Sequence, residues 1–274
     1  MSQIYAVING QFVQEQDAKI SINDLSIQRG YGIFDYFRTR NNEPVFLQDH
    51  LDRFYHSASV VNLPVMQSRE ELAQLIGGLI AKNNLPHSGI RITLTGGYSD
   101  NGYTPATPNL LITQSAYTFN TDAFEKGLRL VTYGHQRQLP QVKTIDYLQS
   151  IYLQPFILEH AADDVLYHEQ GTLRECPRSN FFIVTKSNEI ITPADKVLKG
   201  ITRKKILGLQ GLDVKEGTVM LEDLRGIREA FISSTTKVVL PVLAIDGQPV
   251  GNGRPGRVAA EIYRRLIEKR GGIE

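Results

Sequence analysis

The sequence predicts an α+β fold in two domains. Three observations carry that expectation. The chain has 274 residues, and length divided by ~150 per domain gives about two. Hydrophobic residues make up 41% and charged residues 22%, the balance of a soluble globular chain large enough to bury a core. Strand-like runs and amphipathic stretches succeed one another without a regular βαβ rhythm, which argues against a Rossmann sheet.

The elements follow in order. Tyr5-Ala6-Val7-Ile8 and Gln11-Phe12-Val13 flank Asn9-Gly10, the dipeptide that best supplies positive φ at both central positions of a type I′ hairpin turn. A polar loop with Asn23-Asp24 precedes a β-like run from Gly32 to Thr39, and a second run is expected at Pro44-Val45-Phe46-Leu47. Leu51, Phe54, Tyr55 and Ala58 then fall at i, i+3, i+4, i+7, one apolar helical stripe. Ser68 and Glu71 form a capping box for a second helix reaching about Lys82. Strands are expected from Ile90 to Thr95 and from Leu110 to Thr113.

Mixed polar residues over 114–121 mark the domain joint. The expected division is residues 1–117, a connecting loop over 118–122, and residues 123–274. The second half restarts with a strand from Leu128 to Tyr133 and one helix from Tyr147 to Ala162. Strand-like runs follow at Val165 to His168, Asn180 to Val184 and Glu189 to Thr192. Thr202 is expected to cap a short helix through Leu209. Pro255 precedes a closing amphipathic helix carrying Val258, Ile262, Tyr263 and Leu266.

Charge and cysteine content narrow the function classes. Lys+Arg is 30 against Asp+Glu 29, so nothing favours nucleic acid or an anionic membrane as partner. No stretch approaches the ~18 apolar residues of a membrane span. A single cysteine, Cys176, excludes an intrachain disulfide; it reads as a packed thiol. The N-terminal residues lack a basic and apolar leader pattern. The expectation is a cytoplasmic enzyme or binding protein. The sequence also lacks GxxxxGK[ST], GxSxG and HExxH, and its six histidines are scattered; no metal site is expected.

Three features carry chemistry. Lys143 lies in Gln141-Val142-Lys143-Thr144-Ile145-Asp146-Tyr147, between a Pro-containing loop and a helix start. Gly171-Thr172-Leu173-Arg174-Glu175-Cys176-Pro177-Arg178-Ser179-Asn180-Phe181-Phe182 joins two strand-like runs and places a carboxylate, Glu175, five residues before an asparagine, Asn180. Lys199-Gly200-Ile201-Thr202-Arg203 and Ser233-Ser234-Thr235-Thr236 are small-residue turns whose amides and hydroxyls suit a phosphate. Taken singly, each is an ordinary polar turn or a solvated lysine.

Together with His50-Leu51-Asp52-Arg53-Phe54, Phe231-Ile232 and Val242-Leu243-Ala244-Ile245-Asp246-Gly247, in this order, they resemble the fold-type IV pyridoxal-phosphate enzymes. That family includes branched-chain aminotransferases, D-amino-acid transaminases and aminodeoxychorismate lyase. The resemblance covers essentially the whole chain. It implies a smaller N-terminal α/β domain, a larger C-terminal pseudo-barrel α/β domain, pyridoxal 5'-phosphate as cofactor, and amino-acid and keto-acid substrates. It also implies a homodimer in which the loop around Arg29 covers the neighbouring subunit's cofactor.

The family pattern assigns roles. Lys143 matches the lysine that forms the Schiff base and shuttles the proton, work that requires a primary amine. Glu175 matches the acidic partner of the pyridine nitrogen. Arg53 matches the phosphate-binding arginine, whose fork suits a phosphate dianion. Ile201 and Thr202 match phosphate-binding amides, and Thr235 adds a hydroxyl and an amide. Tyr147 resembles the tyrosine that hydrogen-bonds the cofactor's phenolic oxygen in branched-chain aminotransferases, at a spacing from the lysine one residue shorter.

Members of the family differ in where they hold substrate carboxylates. The familiar D-amino-acid transaminases carry an arginine two residues before a histidine beyond the strand near residue 95. This chain reads Thr93-Leu94-Thr95-Gly96-Gly97-Tyr98 there and lacks the pair. Arg29 instead stands at the position of a pocket tyrosine, Arg91 resembles an arginine of the branched-chain enzymes, and Arg178 replaces a small residue. These three, with Thr236, are the expected substrate contacts. Arginines there suit an anionic substrate, each buried contact to a carboxylate being worth ~1.5–3 kcal/mol. The expected activity is transamination of a D-amino acid of the D-glutamate and D-alanine class with 2-oxoglutarate. Arg91 and Tyr147 favour an L-branched-chain aminotransferase as the alternative, and Gly97-Tyr98-Ser99-Asp100-Asn101-Gly102-Tyr103 hints at the lyase.

Overall fold

The computed structural model describes residues 3–269. Met1 and Ser2, part of the segment read for a leader, and residues 270–274, which end the second expected domain, lie outside them. The chain forms two compact units. One runs to Phe119 and also takes Val142–Asp146; the other comprises Asn120–Gln141 and the chain from Tyr147 onward. The lysine segment, read from sequence as part of the second domain, therefore packs with the first unit.

The first unit contains β1 (Tyr5–Ile8), β2 (Gln11–Gln14), α1 (Leu25–Arg29), β3 (Gly32–Arg40), β4 (Glu43–Pro44), α2 (Leu47–Val60), α3 (Arg69–Asn83), β5 (Ser88–Thr95) and β6 (Leu110–Ala116). Its sheet is ordered β2-β1-β6-β5-β3-β4, with antiparallel neighbours throughout. Asn9 and Gly10 both have positive φ, 49° and 85°, as the hairpin reading requires. The expected stripe of α2 buries Leu51, Phe54 and Ala58 against Ile33, Phe37, Ile90 and Ile92 of the sheet and Leu72, Ile76 and Leu79 of α3. The capping box is present: the Ser68 amide donates to Glu71, and the Glu71 amide donates to Ser68 Oγ. The strand expected over Pro44 to Leu47 shrinks to Glu43–Pro44. Phe46 turns left-handed at φ 58° and Leu47 starts α2, because a short apolar run cannot by itself distinguish a strand from a helix start.

The second unit contains α4 (Ala123–Lys126), β7 (Leu128–Gly134), α5 (Leu148–Tyr152), α6 (Gln154–Glu159), β8 (Asp164–Glu169), β9 (Thr172–Leu173), β10 (Glu175–Cys176), β11 (Ser179–Val184), β12 (Ile190–Pro193), α7 (Ile201–Leu207), β13 (Val214–Gly217), β14 (Glu229–Ser234), β15 (Val238–Ile245), β16 (Gln248–Pro249) and α8 (Arg257–Lys269). The sheet order is β13-β12-β11-β14-β15-β7-β8-β9, with β10 on β11 and β16 on β15. Three of its pairings are parallel, β12 with β13, β15 with β7, and β7 with β8. The crossovers a parallel pair needs are supplied by α5 and α6 for β7–β8 and by α7 for β12–β13. Phe181, Ile183, Ile232, Val242 and Leu173 form the core of this unit.

Two expectations change here. The single helix from Tyr147 to Ala162 is broken at Leu153 into α5 and α6, and Pro155 opens the second piece; proline lacks the N–H that an uninterrupted helix would use there. Thr202 is not the cap of α7. Gly200 occupies that position without a side-chain cap bond, and Thr202 lies inside the helix, buried.

Candidate active site

In the first unit β3 does the positioning. Side chains alternate along a strand. Ile33 and Phe37 enter the core, and Asp35 between them reaches α2. There Arg53 grips it with a fork, Nε to Oδ2 and Nη2 to Oδ1, both at 2.8 Å, and the His50 Nδ1–H donates to Oδ1 at 2.7 Å. His50 and Arg53 meet one carboxylate because they are three apart on a helix face. Burial pushes the Asp35 carboxyl up, but the Arg53 charge and the Arg53 and His50 hydrogen bonds outweigh it and hold it well below the usual carboxylate range. His50 is pushed down, burial winning over its bond to Asp35; an ionised carboxylate only accepts, so the nitrogen donating to it is Nδ1. Asp35 orients Arg53 and leaves Nη1 uncommitted to the fork.

The residues of β3 that point the other way are Phe34, Tyr36 and Arg38. Val142–Asp146 lies alongside this strand: the Phe34 amide donates to the Lys143 carbonyl at 2.9 Å, and the Ile145 amide donates to the Gly32 carbonyl at 3.1 Å. Val142 is fully buried in the core, so Lys143, next in an extended segment, is turned to the Phe34 face. Its amide donates to Ser57 Oγ at 3.3 Å. Its Nζ stands 4.5 Å from the centre of the Phe34 ring. Arg91 lies opposite Tyr36 on β5 and brings its guanidinium to 4.2 Å from the same ring. An amine and a guanidinium thus both stand within 4.5 Å of the centre of one aromatic ring.

Arg29 ends α1 and is exposed, with Nη1 donating to the Gln28 carbonyl at 2.8 Å. The segment before it is anchored by Asp24, wholly buried, which accepts from the Ser26 amide, Thr95 Oγ1 and Asn109 Nδ2 at 2.7–2.8 Å.

In the second unit the spacing of Glu175 and Asn180 has a simple cause. β10 and β11 form a hairpin with Pro177-Arg178 at its turn, and Glu175 pairs with Asn180 in register. Asn180 in turn pairs with Ser233 of β14, so the three side chains share a sheet face. Glu175 is buried and accepts from Asn180 Nδ2 at 3.2 Å, the Leu198 amide at 3.0 Å and Arg137 Nε at 3.0 Å. Arg137 is a site residue the sequence reading missed; a lone arginine after β7 carries no pattern. Gly200 is required by close approach, since a Cβ there would come within 2.1 Å of Asn180 Oδ1. Ile201 and Thr202 begin α7 directly after it. Thr235 and Thr236 lie half-buried in the turn between β14 and β15, with Thr236 Oγ1 3.4 Å from Ser234 Oγ. Tyr147, half-buried, precedes α5 and accepts at its carbonyl from Ser150 Oγ. Arg178 is exposed at the hairpin turn. Cys176 is fully buried and burial pushes its thiol far up, as befits a packed rather than a reactive thiol.

The order of these segments and their local geometry are those of a known family. The family model for class IV amino-transferases matches residues 32–245. The chain belongs to the class IV aminotransferases. Among the curated relatives of this class IV aminotransferase, a D-alanine aminotransferase of Staphylococcus haemolyticus is 29% identical over 275 residues, covering 96% of this chain and 98% of that protein. One from Listeria monocytogenes serotype 4b is 30% identical over 274 residues, covering 96% and 95%. Among solved structures, the branched-chain amino acid aminotransferase of Escherichia coli superposes with a TM-score of 0.90 at 26% identity, over 100% of this chain and 97% of that one. The fold is the α+β fold of fold-type IV enzymes, and the family's cofactor is pyridoxal 5'-phosphate, as expected from the sequence. The residues present fit that cofactor. The first unit offers a primary amine and an arginine oriented by Asp35; the second offers a buried carboxylate and Ser233 Oγ, a buried hydroxyl without a hydrogen-bond partner among the described residues, the kind of atom a bound polar group satisfies. Among the described residues no helix is long and apolar enough to cross a membrane.

Proposed function

We propose that the protein transfers amino groups between a D-amino acid of the D-glutamate and D-alanine class and a 2-oxo acid such as 2-oxoglutarate. The observation that carries this reading is the meeting of Lys143 and Arg91 on the ring of Phe34. The D-alanine aminotransferase relatives support the D-specific form of it.

When bound, pyridoxal phosphate supplies an aldehyde for the amino group and a protonated ring that draws electrons from the Cα–H bond. Lys143 supplies the amine that holds the cofactor and carries the proton between Cα and the cofactor carbon. Glu175, held ready by Arg137, Asn180 and the Leu198 amide, keeps the pyridine nitrogen protonated. Arg53, the amides of Ile201 and Thr202, and Thr235 hold the phosphate, and Tyr147 serves the phenolic oxygen. Arg91 binds the α-carboxylate beside the amine, with Arg29, Arg178 and Thr236 as further substrate contacts.

The active unit is a homodimer, with Arg29 reaching the neighbouring subunit's substrate. Leu148, Ile151 and Tyr152 of α5 are 77%, 68% and 72% exposed at i, i+3, i+4, and Leu158 is 80% exposed. An apolar face of that kind suits association with a second copy.

A donor screen tests the reading. D- and L-glutamate, alanine and leucine are mixed with the cofactor-loaded enzyme and the loss of its visible absorbance is followed. D-glutamate and D-alanine should react. The L-branched-chain reading, favoured by Arg91 and by the likeness to the Escherichia coli enzyme, predicts reaction with L-leucine. A lyase would release pyruvate with no amino acceptor present.

A further inference from the structure

The face of β3 that carries Phe34 continues past Arg91 to a second cation. Tyr36 and Arg38 follow Phe34 at two-residue steps, so all three side chains leave the sheet on the same side. Arg38 packs its guanidinium against two aromatic rings, 4.6 Å from the centre of Tyr117 and 5.0 Å from that of Phe119. Stacking covers the flat faces of a guanidinium and leaves its N–H edges unanswered. Arg38 Nε and Nη1 are buried and have no hydrogen-bond partner among the described residues. A fixed, charged guanidinium with two buried unmet donors asks for an anion.

Tyr36 stands between the two arginines. Its ring lies over Gly89, where a Cβ would come within 1.9 Å of the phenol oxygen, so a glycine opposite Arg38 makes room for it. Burial, with Tyr117, pushes this phenol up, and the charges of Arg38 and Arg91 both act against that rise. The face therefore reads Lys143, Phe34, Arg91, Tyr36, Arg38. The positions of Tyr36 and Arg38 on β3, opposite Arg91 and Gly89, are one two-residue step apart, ~7 Å. The carboxyl carbons of an extended five-carbon diacid lie about 5 Å apart, a span that two arginine side chains rooted one such step apart can bracket.

We propose that Arg38, with the Tyr36 hydroxyl, binds the second carboxylate of a dicarboxylate substrate such as glutamate or 2-oxoglutarate, while Arg91 binds the first. The proposal rests on the transaminase reading above, and it gives the side-chain carboxylate a seat that does not require Arg29 or Arg178. Monocarboxylates such as pyruvate leave the Arg38 seat unused.

The test uses keto acids, which have no hand at the reacting carbon. With the holoenzyme and its best amino donor, kcat/KM is measured for 2-oxoglutarate and for pyruvate in the wild type and in Arg38→Met, which keeps an unbranched chain against Tyr117 and Phe119. The ratio of the two constants should fall about 10- to 100-fold, the range of one lost charge-assisted bond. An unchanged ratio overturns the proposal. Should Arg38→Met fail to fold, glutarate and butyrate are compared as competitive inhibitors of the wild type and of Arg38→Lys. Glutarate should bind the wild type about 10-fold or more tightly than butyrate, and that advantage should shrink in Arg38→Lys, which loses the fork. Equal inhibition by the two acids overturns the proposal. A wild type that accepts only L-donors would end the D-specific reading and leave both comparisons intact.

Discussion

Arg137 donates from Nε to Glu175 Oε1 at 3.0 Å while its Nη2 donates to the Pro140 carbonyl at 2.8 Å. The arginine is fixed on two sides, and it gives the buried carboxylate its only charged donor among the three described above. A neutral or wandering acid cannot keep a pyridinium paired, so under the role proposed for Glu175 the arginine would act on the chemistry through it. In Arg137→Met, cofactor binding should persist and the single-turnover rate with the amino donor should fall about tenfold or more, ~1.4 kcal/mol of barrier. Arg137→Lys should recover part of that loss. A wild-type rate in Arg137→Met contradicts the role.

Glu175→Gln removes the ion-pair partner itself. The expected result is retained cofactor and a half-reaction slower by orders of magnitude. Because the two residues act as a unit, the double variant Arg137→Met/Glu175→Gln should be no slower than Glu175→Gln alone. Multiplicative losses in the double variant would show that Arg137 works by another route.

Lys143→Ala should abolish turnover and the covalent attachment of the cofactor, read as loss of the reducible protein–cofactor link by mass spectrometry after borohydride. The fold should survive, since Val142 and the strand-like bonds to Gly32 and Phe34 that seat the segment are main-chain or core contacts. A borohydride-stable adduct on another lysine would reassign the role.

The legible part of this protein was the part written in local pattern. The Asn9-Gly10 hairpin, the α2 stripe and the Ser68–Glu71 box are each set by a few neighbouring residues, and each is present. What escaped depends on contacts remote in sequence. Val142–Asp146 joins the first unit because Val142 fills that unit's core and Lys143 bonds to Phe34 more than a hundred residues earlier. Arg137 finds Glu175 across 38 positions. The Leu153 break was within reach, since Pro155 stood in the sequence. Residue type alone favours Thr202 as a cap, whereas the bare Gly200 that occupies the position is fixed by the approach of Asn180. In the site, motif order points to Lys143 and Glu175 as the residues proposed for the amine and the ring-nitrogen partner; the approach of Arg91 and Lys143 to the Phe34 ring depends on the register of β3 and β5.

Acid should destabilise the first unit in two stages. His50 is lowered from its ordinary 6.5 by burial. As pH drops below that value the unfolded chain binds a proton that the folded chain refuses, so stability falls. Asp35 is held below its ordinary 3.8; its contribution is complete above that value and is lost as acidification proceeds through it toward the folded pKa. His50→Gln keeps a donor for Asp35 and removes the first stage. The melting temperature of the cofactor-free protein should therefore vary less between pH 7 and pH 5, about neutral to mildly acid, in His50→Gln than in the wild type. Parallel profiles would contradict the assignment.

The exposed face of α5 gives a test of assembly. Leu148→Glu combined with Ile151→Glu should yield folded monomer by sedimentation, with activity reduced because Arg29 no longer reaches a neighbour. A dimer that survives both substitutions would place the interface elsewhere.

If arginines replace the familiar carboxylate trap at this site, the enzyme takes an anionic D-amino acid. The half-reaction rate constant of the wild-type holoenzyme with D-glutamate, set against that with L-leucine, decides the matter. D-glutamate should be clearly preferred. A clear preference for L-leucine would contradict this and make the branched-chain reading the correct one.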